Sequence, residues 1–213
     1  MSRFKAVIFD LDGVITDTAH YHYLAWKRLA ESAGVHFDQE FNEQLKGVDR
    51  VGSLELILAG AARAFSAQEK LEMADAKNRH YQELISTMSA ADLLPGAVDA
   101  LAAVRAAGLR IGLASVSKNA FTVLEHLGIR DRFDYVVDAA TVKQGKPHPE
   151  IFLTAAERLG VAPADCLGVE DAVAGVASIK AAGMYALGVG SPAVLTQADR
   201  VIPGLDQFRL EDY

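Results

Sequence analysis

Three aspartates, Asp10, Asp12 and Asp17, fall within eight positions of one another in FDLDGVITDT, residues 9–18, directly after the apolar run Val7-Ile8-Phe9. Two carboxylates held close raise each other's pKa unless a cation sits between them. An oxygen-only ligand set of this kind suits Mg²⁺, which favours octahedral carboxylate, water and phosphate coordination. The plain alternative is a turn whose aspartates satisfy backbone N–H groups. Further along, Ser115 follows Leu113-Ala114, Lys146 stands in KPHP, and Glu170-Asp171 follows Leu167-Gly168-Val169. Each has its own alternative: a helix N-cap for Ser115, a solvated surface lysine, and acids at a helix N-terminus for Glu170 and Asp171.

These residues share an edge if the elements are read correctly. Phe4 to Asp10 is short, apolar and rich in strand formers, the pattern of a buried parallel strand. The second half of the chain alternates helical stretches ending in glycine with short apolar runs: RAAG then LRIGLAS, EHLG then Tyr135-Val136-Val137, ERLG then CLGVE, KAAG then MYALGVG. Glycine takes the left-handed conformation after a helix end at low cost. Helix–glycine–strand units in series imply an α/β fold, a doubly wound parallel sheet with helices on both faces. In such a sheet ligands collect at the carboxyl ends of the strands, where Asp10, Ser115 and Glu170 fall. Asp12 follows on the loop, and Gly13 permits a sharp bend there.

Residues from about 17 to 91 break the rhythm. They hold helical patterns and no convincing strand: one helix capped by Asp17 or Thr18 with His22, Ala25, Trp26 and Leu29 on one face, a second including Leu54–Leu58, and a third from about Gln68 to Ile85. This reads as a helical cap domain, residues 17–91, inserted into a catalytic core formed by residues 1–16 and 92–213. Leu94-Pro95-Gly96 marks the return to the core.

The 213 residues carry a formal net charge of −7 and no run of basic residues. Most of such a surface repels nucleic acid and anionic membranes, so neither is an expected partner. A small anion remains compatible, because a few lysines and arginines can act locally. The single cysteine, Cys166, cannot form an internal disulfide and reads as a small core residue. No apolar run reaches the length of a membrane span, and the N-terminal residues lack a signal-peptide layout, so a cytoplasmic protein is expected. No extended apolar face demands a partner, and a monomer is expected. The stretch from Pro203 to Tyr213 is compatible with a final helix or a loose end.

DLDG, a strand-end serine, Lys-Pro and Glu-Asp, in that order, resemble the four-part signature of the haloacid dehalogenase superfamily of phosphoryl-transfer enzymes. The resemblance covers the whole chain, with the helical cap in the slot after the first motif, and implies a Rossmann-like core. It also implies that Asp10 is a nucleophile forming an aspartyl phosphate, and that Asp12 is the general acid/base, its carbonyl also serving the metal. Ser115 and Lys146 would hold the transferring phosphoryl group, with Glu170 and Asp171 joining Asp10 and Asp12 around Mg²⁺.

A tighter resemblance lies in GVITDTAHYHYLAW, FNEQLKGVDR, Lys77-Asn78 and ASVSKN (residues 114–119), which are similar to the β-phosphoglucomutase family. The implied reaction interconverts β-glucose 1-phosphate and glucose 6-phosphate through β-glucose 1,6-bisphosphate. A substrate carrying phosphate at either end needs a second anion site. Arg50 is the candidate from the cap, with Ser117 and Asn119 from the core and backbone N–H groups of the turn at Gly47 and Val48 near the sugar. The alternative for Arg50 is pairing with a surface carboxylate. The resemblance gives His22 a part in coupling closure to chemistry, Thr18 a hydrogen bond to Asp12 at the hinge, and Lys77 a place at the substrate entrance. A histidine buried in the cap core and a solvated lysine are the alternatives for His22 and Lys77. Val116 departs from a smaller residue also found in the phosphate loop, and its N–H is the relevant group. Ala172 stands where a hydroxyl residue is common, and His148 reads as solvent-facing. A phosphatase acting on a small sugar phosphate and a non-catalytic sugar-phosphate binding protein remain as competing readings.

Overall fold

A computed structural model describes residues 3–45 and 48–213. Six strands form one parallel sheet: β1 (Ala6–Phe9), β2 (Arg110–Leu113), β3 (Tyr135–Val136), β4 (Cys166–Glu170), β5 (Tyr185–Val189) and β6 (Arg200–Ile202). Their order across the sheet is β3-β2-β1-β4-β5-β6. The chain therefore reverses direction of travel beside β1, and a crevice opens at the carboxyl ends of β1 and β4. Strand β1 is sealed on both faces, which explains its unbroken apolar sequence. Val7 and Phe9 join the core on one side of the sheet, Ala6 and Ile8 the core on the other.

The core helices are α5 (Ala97–Ala106), α6 (Ala120–His126), α7 (Glu150–Leu159) and α8 (Val173–Ala181), in addition to the four of the segment between β1 and β2. Those four are α1 (Ala19–Ser32), α2 (Gln39–Glu43), α3 (Arg50–Leu58) and α4 (Ala67–Ile85). Trp26, Leu29, Val35, Phe37, Leu54 and Ile57 give them a core of their own. The two connections between this segment and the sheet run side by side. Thr16 pairs with both Asp12 and Leu93, Leu94 N–H donates to the Ile15 carbonyl at 2.9 Å, and the Thr16 hydroxyl donates to the Asp92 carbonyl at 2.7 Å.

The last residues form neither a helix nor a loose end. Arg200–Ile202 is an edge strand, and two short 3₁₀ turns bury Leu205, Phe208 and Leu210 against the main core. Cys166 is fully buried, and burial together with Asp165 pushes its thiol up to about 11, so it behaves as a packing residue. Among the described residues, no helix is long and apolar enough to cross a membrane.

Candidate active site

The register of the sheet brings the separated motifs together. Phe9 lies opposite Leu113 on one side and Val169 on the other, so Asp10, Ala114 and Glu170 emerge side by side at the crevice. Asp10 N–H donates to the Val169 carbonyl at 2.9 Å, and Ala114 N–H to the Phe9 carbonyl at 2.8 Å. Carboxylate oxygens of Asp10, Glu170 and Asp171 lie within 4.8 Å of one another. The buried Lys146 ammonium donates to Asp10 Oδ1 at 2.6 Å and to Glu170 Oε2 at 2.7 Å. Burial alone pushes this lysine down, but Asp10 and Glu170 outweigh it and keep it protonated. Burial and Glu170 raise Asp10, with Lys146 pulling the other way.

Three acids against one ammonium, all oxygen donors, form a set that a hard divalent cation fits. Two glycines make room for it. Gly13 has φ +79°, and a Cβ there would run into the Asp171 carboxylate. A Cβ on Gly175 would run into the carboxylate of Glu170. Glu170 Oε1 also accepts from the N–H groups of Asp171 (3.2 Å) and Ala172 (3.1 Å), so it partly serves the approach to α8 as well.

Asp12 sits apart from that cluster. Its Oδ1 accepts from the Thr18 hydroxyl, the contact expected at the hinge, and burial lifts its pKa to about 6 while this hydrogen bond restrains it. Thr18 precedes α1 without capping it; Asp17 Oδ1 accepts from Ala19 N–H instead, at 2.9 Å. Ser115 Oγ accepts from Ser117 N–H at 3.1 Å, a local turn rather than a helix cap.

A cavity of about 780 Å³ joins these groups to the helical segment. Asp10, Asp12, Ser115, Val116, Ser117, Lys146, Glu170 and Asp171 line it from the sheet side, and His22, Val48, Arg50 and Lys77 from the helices. Gly47 lies outside the described residues. Lys77 is not a solvated charge. It is 5% exposed, its Nζ lies 2.9 Å from His22 Nδ1, and the Trp26 and Tyr81 rings flank it at 4.3 and 4.8 Å. Burial, then Arg50, brings its pKa down to about 7. Burial and these two cations hold His22 well below its usual value, so its imidazole is neutral. Arg50 Nη2 donates to Asn78 Oδ1 at 2.8 Å rather than to a surface carboxylate.

Two expected residues stand off the wall. Thr18 is sealed behind Asp12. Asn119 is buried, donating from Nδ2 to Asn78 Oδ1 at 2.9 Å and accepting from Gln82 Nε2 at 3.2 Å, so it ties α4 to the phosphate-loop end of the sheet. Asn78 Oδ1 thus gathers Arg50 and Asn119 on one atom. His148 is half-buried, its Nδ1 accepting from Glu150 N–H at 3.3 Å and its carbonyl from the Ser178 hydroxyl at 2.7 Å. Several lining residues had no signal in the motifs: Gln39, Ser53 and the turn Pro203–Asp206, which reaches the cavity from the far end of the chain.

This sheet, this acidic crevice and the helices above it define a class, and the chain belongs to the haloacid dehalogenase-like hydrolase family, whose model matches residues 4–183. Within it, the chain is 51% identical to β-phosphoglucomutase of Bacillus subtilis, over 97% of this chain and 92% of that protein. The crystal structure of β-phosphoglucomutase from Clostridium difficile superposes with a TM-score of 0.95 at 47% identity, covering 98% of this chain and 95% of that one. A more distant relative, a phosphorylated carbohydrates phosphatase of Thermotoga maritima, is 32% identical over 84% of this chain and 82% of its own length.

Proposed function

We infer that the chain is an isomerase that interconverts β-D-glucose 1-phosphate and D-glucose 6-phosphate. The observation that carries this reading is the single cavity lined by Lys146 and Ser115 at one side and by Arg50 and Lys77 from the helices at the other. A monoester phosphatase needs one phosphate site, whereas a substrate phosphorylated at either end needs two. The identity of 51% to a mutase against 32% to a phosphatase points the same way.

The Asp10 carboxylate attacks phosphorus, the bond from phosphorus to the sugar oxygen breaks, and Asp12 delivers a proton to that leaving oxygen. In the reverse direction a sugar hydroxyl attacks the aspartyl phosphate and Asp12 takes its proton. Beginning from the phosphorylated enzyme, β-glucose 1-phosphate becomes β-glucose 1,6-bisphosphate, which turns over and returns the phosphoryl group from its other end to Asp10. A pKa of about 6 suits Asp12 for both proton transfers near neutral pH. Lys146 and the Ser115 hydroxyl hold the transferring oxygens, where charge spreads in the transition state. Arg50, with Ser117 beside it on the wall, grips the phosphate that is not reacting. Asn119 acts one step back, through Asn78. Asp10, Glu170, Asp171 and the Asp12 carbonyl would hold Mg²⁺, which when bound offsets the repulsion between carboxylate and phosphate. Residues 17–91 form the cap that shields the aspartyl phosphate from water. The protein acts as a cytoplasmic monomer on small sugar phosphates, with no nucleic-acid or membrane partner.

Phosphorus NMR with Mg²⁺, β-glucose 1-phosphate and a trace of the bisphosphate tests the reading. Stoichiometric glucose 6-phosphate is expected; dominant inorganic phosphate would assign a hydrolase instead. Arg50→Ala should reduce this conversion about 10²-fold while changing hydrolysis of a small aryl phosphate severalfold at most, since only the sugar substrate has a second phosphate site to lose. Equal losses would remove Arg50 from the distal site.

A further inference from the structure

Polar contacts from one face of α4 fasten its second half to the segment around α6. Asn78, Gln82 and Ile85 fall at i, i+4 and i+7 and so share that face. His126 Nδ1 donates to the Ile85 carbonyl at 2.9 Å, Gln82 Nε2 donates to Asn119 Oδ1 at 3.2 Å, and Asn119 Nδ2 donates to Asn78 Oδ1 at 2.9 Å. The direction of this chain of amides follows from its far end. A side-chain amide can be turned end for end, but the Arg50 guanidinium only donates, so the Asn78 atom facing it at 2.8 Å is the carbonyl oxygen. Asn119 meets that same oxygen and must offer its NH₂ group, which leaves its own oxygen toward Gln82. Arg50 thereby orients all three amides, and the seam requires a donor at position 82.

Asn119 is buried, whereas Gln82 is exposed. Without a donor at position 82, Asn119 Oδ1 is unpaired as long as α4 lies against α6, and water satisfies it once the two part. The penalty falls on the closed arrangement alone. Closure decides the fate of phosphorylated Asp10. When water gains entry, its oxygen joins phosphorus, the bond to the Asp10 oxygen breaks, and the products are the carboxylate and dihydrogen phosphate. We propose that Gln82 is a positioning residue whose donated hydrogen bond holds the cap against the phosphate-loop end of the sheet, and that this seam sets how much aspartyl phosphate passes to water instead of sugar. The inference deepens the mutase reading and rests on it.

Gln82→Leu removes the donor at an exposed position off the cavity wall, which leaves the packed core untouched. Inorganic phosphate released per glucose 6-phosphate formed, followed by phosphorus NMR, should rise about five- to tenfold, the shift in open population that one lost hydrogen bond gives. The burst of 4-nitrophenolate released as 4-nitrophenyl phosphate phosphorylates Asp10 should stay within about twofold of the parent, because that step has no distal phosphate to hold. Gln82→Lys keeps a donor, and its phosphate ratio should also stay within about twofold. An unchanged ratio in Gln82→Leu, an equal rise in Gln82→Lys, or a burst slowed as much as the ratio rises would each overturn the proposal. Failure of the mutase reading would show separately, as absence of glucose 6-phosphate from the parent protein.

Discussion

Lys77 presents the sharpest conflict between a residue's type and its surroundings. An ammonium packed between Trp26 and Tyr81 with a neutral imidazole as its partner has lost most of its hydration. Its pKa falls from 10.5 to about 7, so between those values the folded protein binds fewer protons than the unfolded chain. The stability contributed by Lys77 is therefore present at high pH and is lost as pH falls through that window. Lys77→Met removes the effect. Between about pH 10 and about pH 6 the stability difference should move in the variant's favour by up to about 5 kcal/mol, measured by urea denaturation across pH. A difference that stays flat with pH would show an amine that remains hydrated. The same residue shows where reading the chain stops. Its polar neighbours Asp75, Asn78 and Arg79 suggest a solvated helix face, and only the placement of α1 against α4 reveals that Lys77 points inward.

At the scale of elements, the sheet was legible and its margins were not. Glycines after helices and short apolar runs mark β2, β4 and β5, and the register then puts Asp10 beside Glu170 without further assumption. Arg200–Ile202 is not legible in the chain, because three residues at a sheet edge, one of them arginine, leave too short a pattern to recognise. The DLDG, Lys-Pro and Glu-Asp stretches could be read because each sits next to a strand end or proline. The contacts of Asn78, legible only as part of the Lys77-Asn78 stretch, and the Pro203–Asp206 turn could not, since they depend on how helices and a distant turn pack across the cavity. Gly175 in α8 tests such a packing dependence. In an ordinary helix Gly→Ala gains about 1 kcal/mol. Here the new methyl group would drive Glu170 away from Lys146, and disrupting a buried ion pair costs about 3–5 kcal/mol. The second effect outweighs the first, so Gly175→Ala should be less stable by about 2–4 kcal/mol and should lose most of the rise in Tm that Mg²⁺ gives the parent. A variant as stable as the parent, with that rise intact, would show that Glu170 has room to spare.

Across the whole molecule, an acidic chain of net charge −7 gathers its cations where an anion would sit. Lys146 reaches the cavity from the sheet, Arg50 and Lys77 from the helices, and the two connections between the sheet and the helical segment run side by side at Thr16 and Leu93. The account stands on Asp10 carrying a phosphoryl group from one end of a sugar to the other without releasing it to water. Loading the enzyme with a ³²P-labelled acyl phosphate, removing the excess and adding unlabelled β-glucose 1-phosphate with Mg²⁺ measures this directly. The label should pass to sugar phosphate within one turnover, and Asp10→Asn should acquire none. Label appearing chiefly as free phosphate in the presence of the sugar, or persisting on the Asp10→Asn protein, would contradict it.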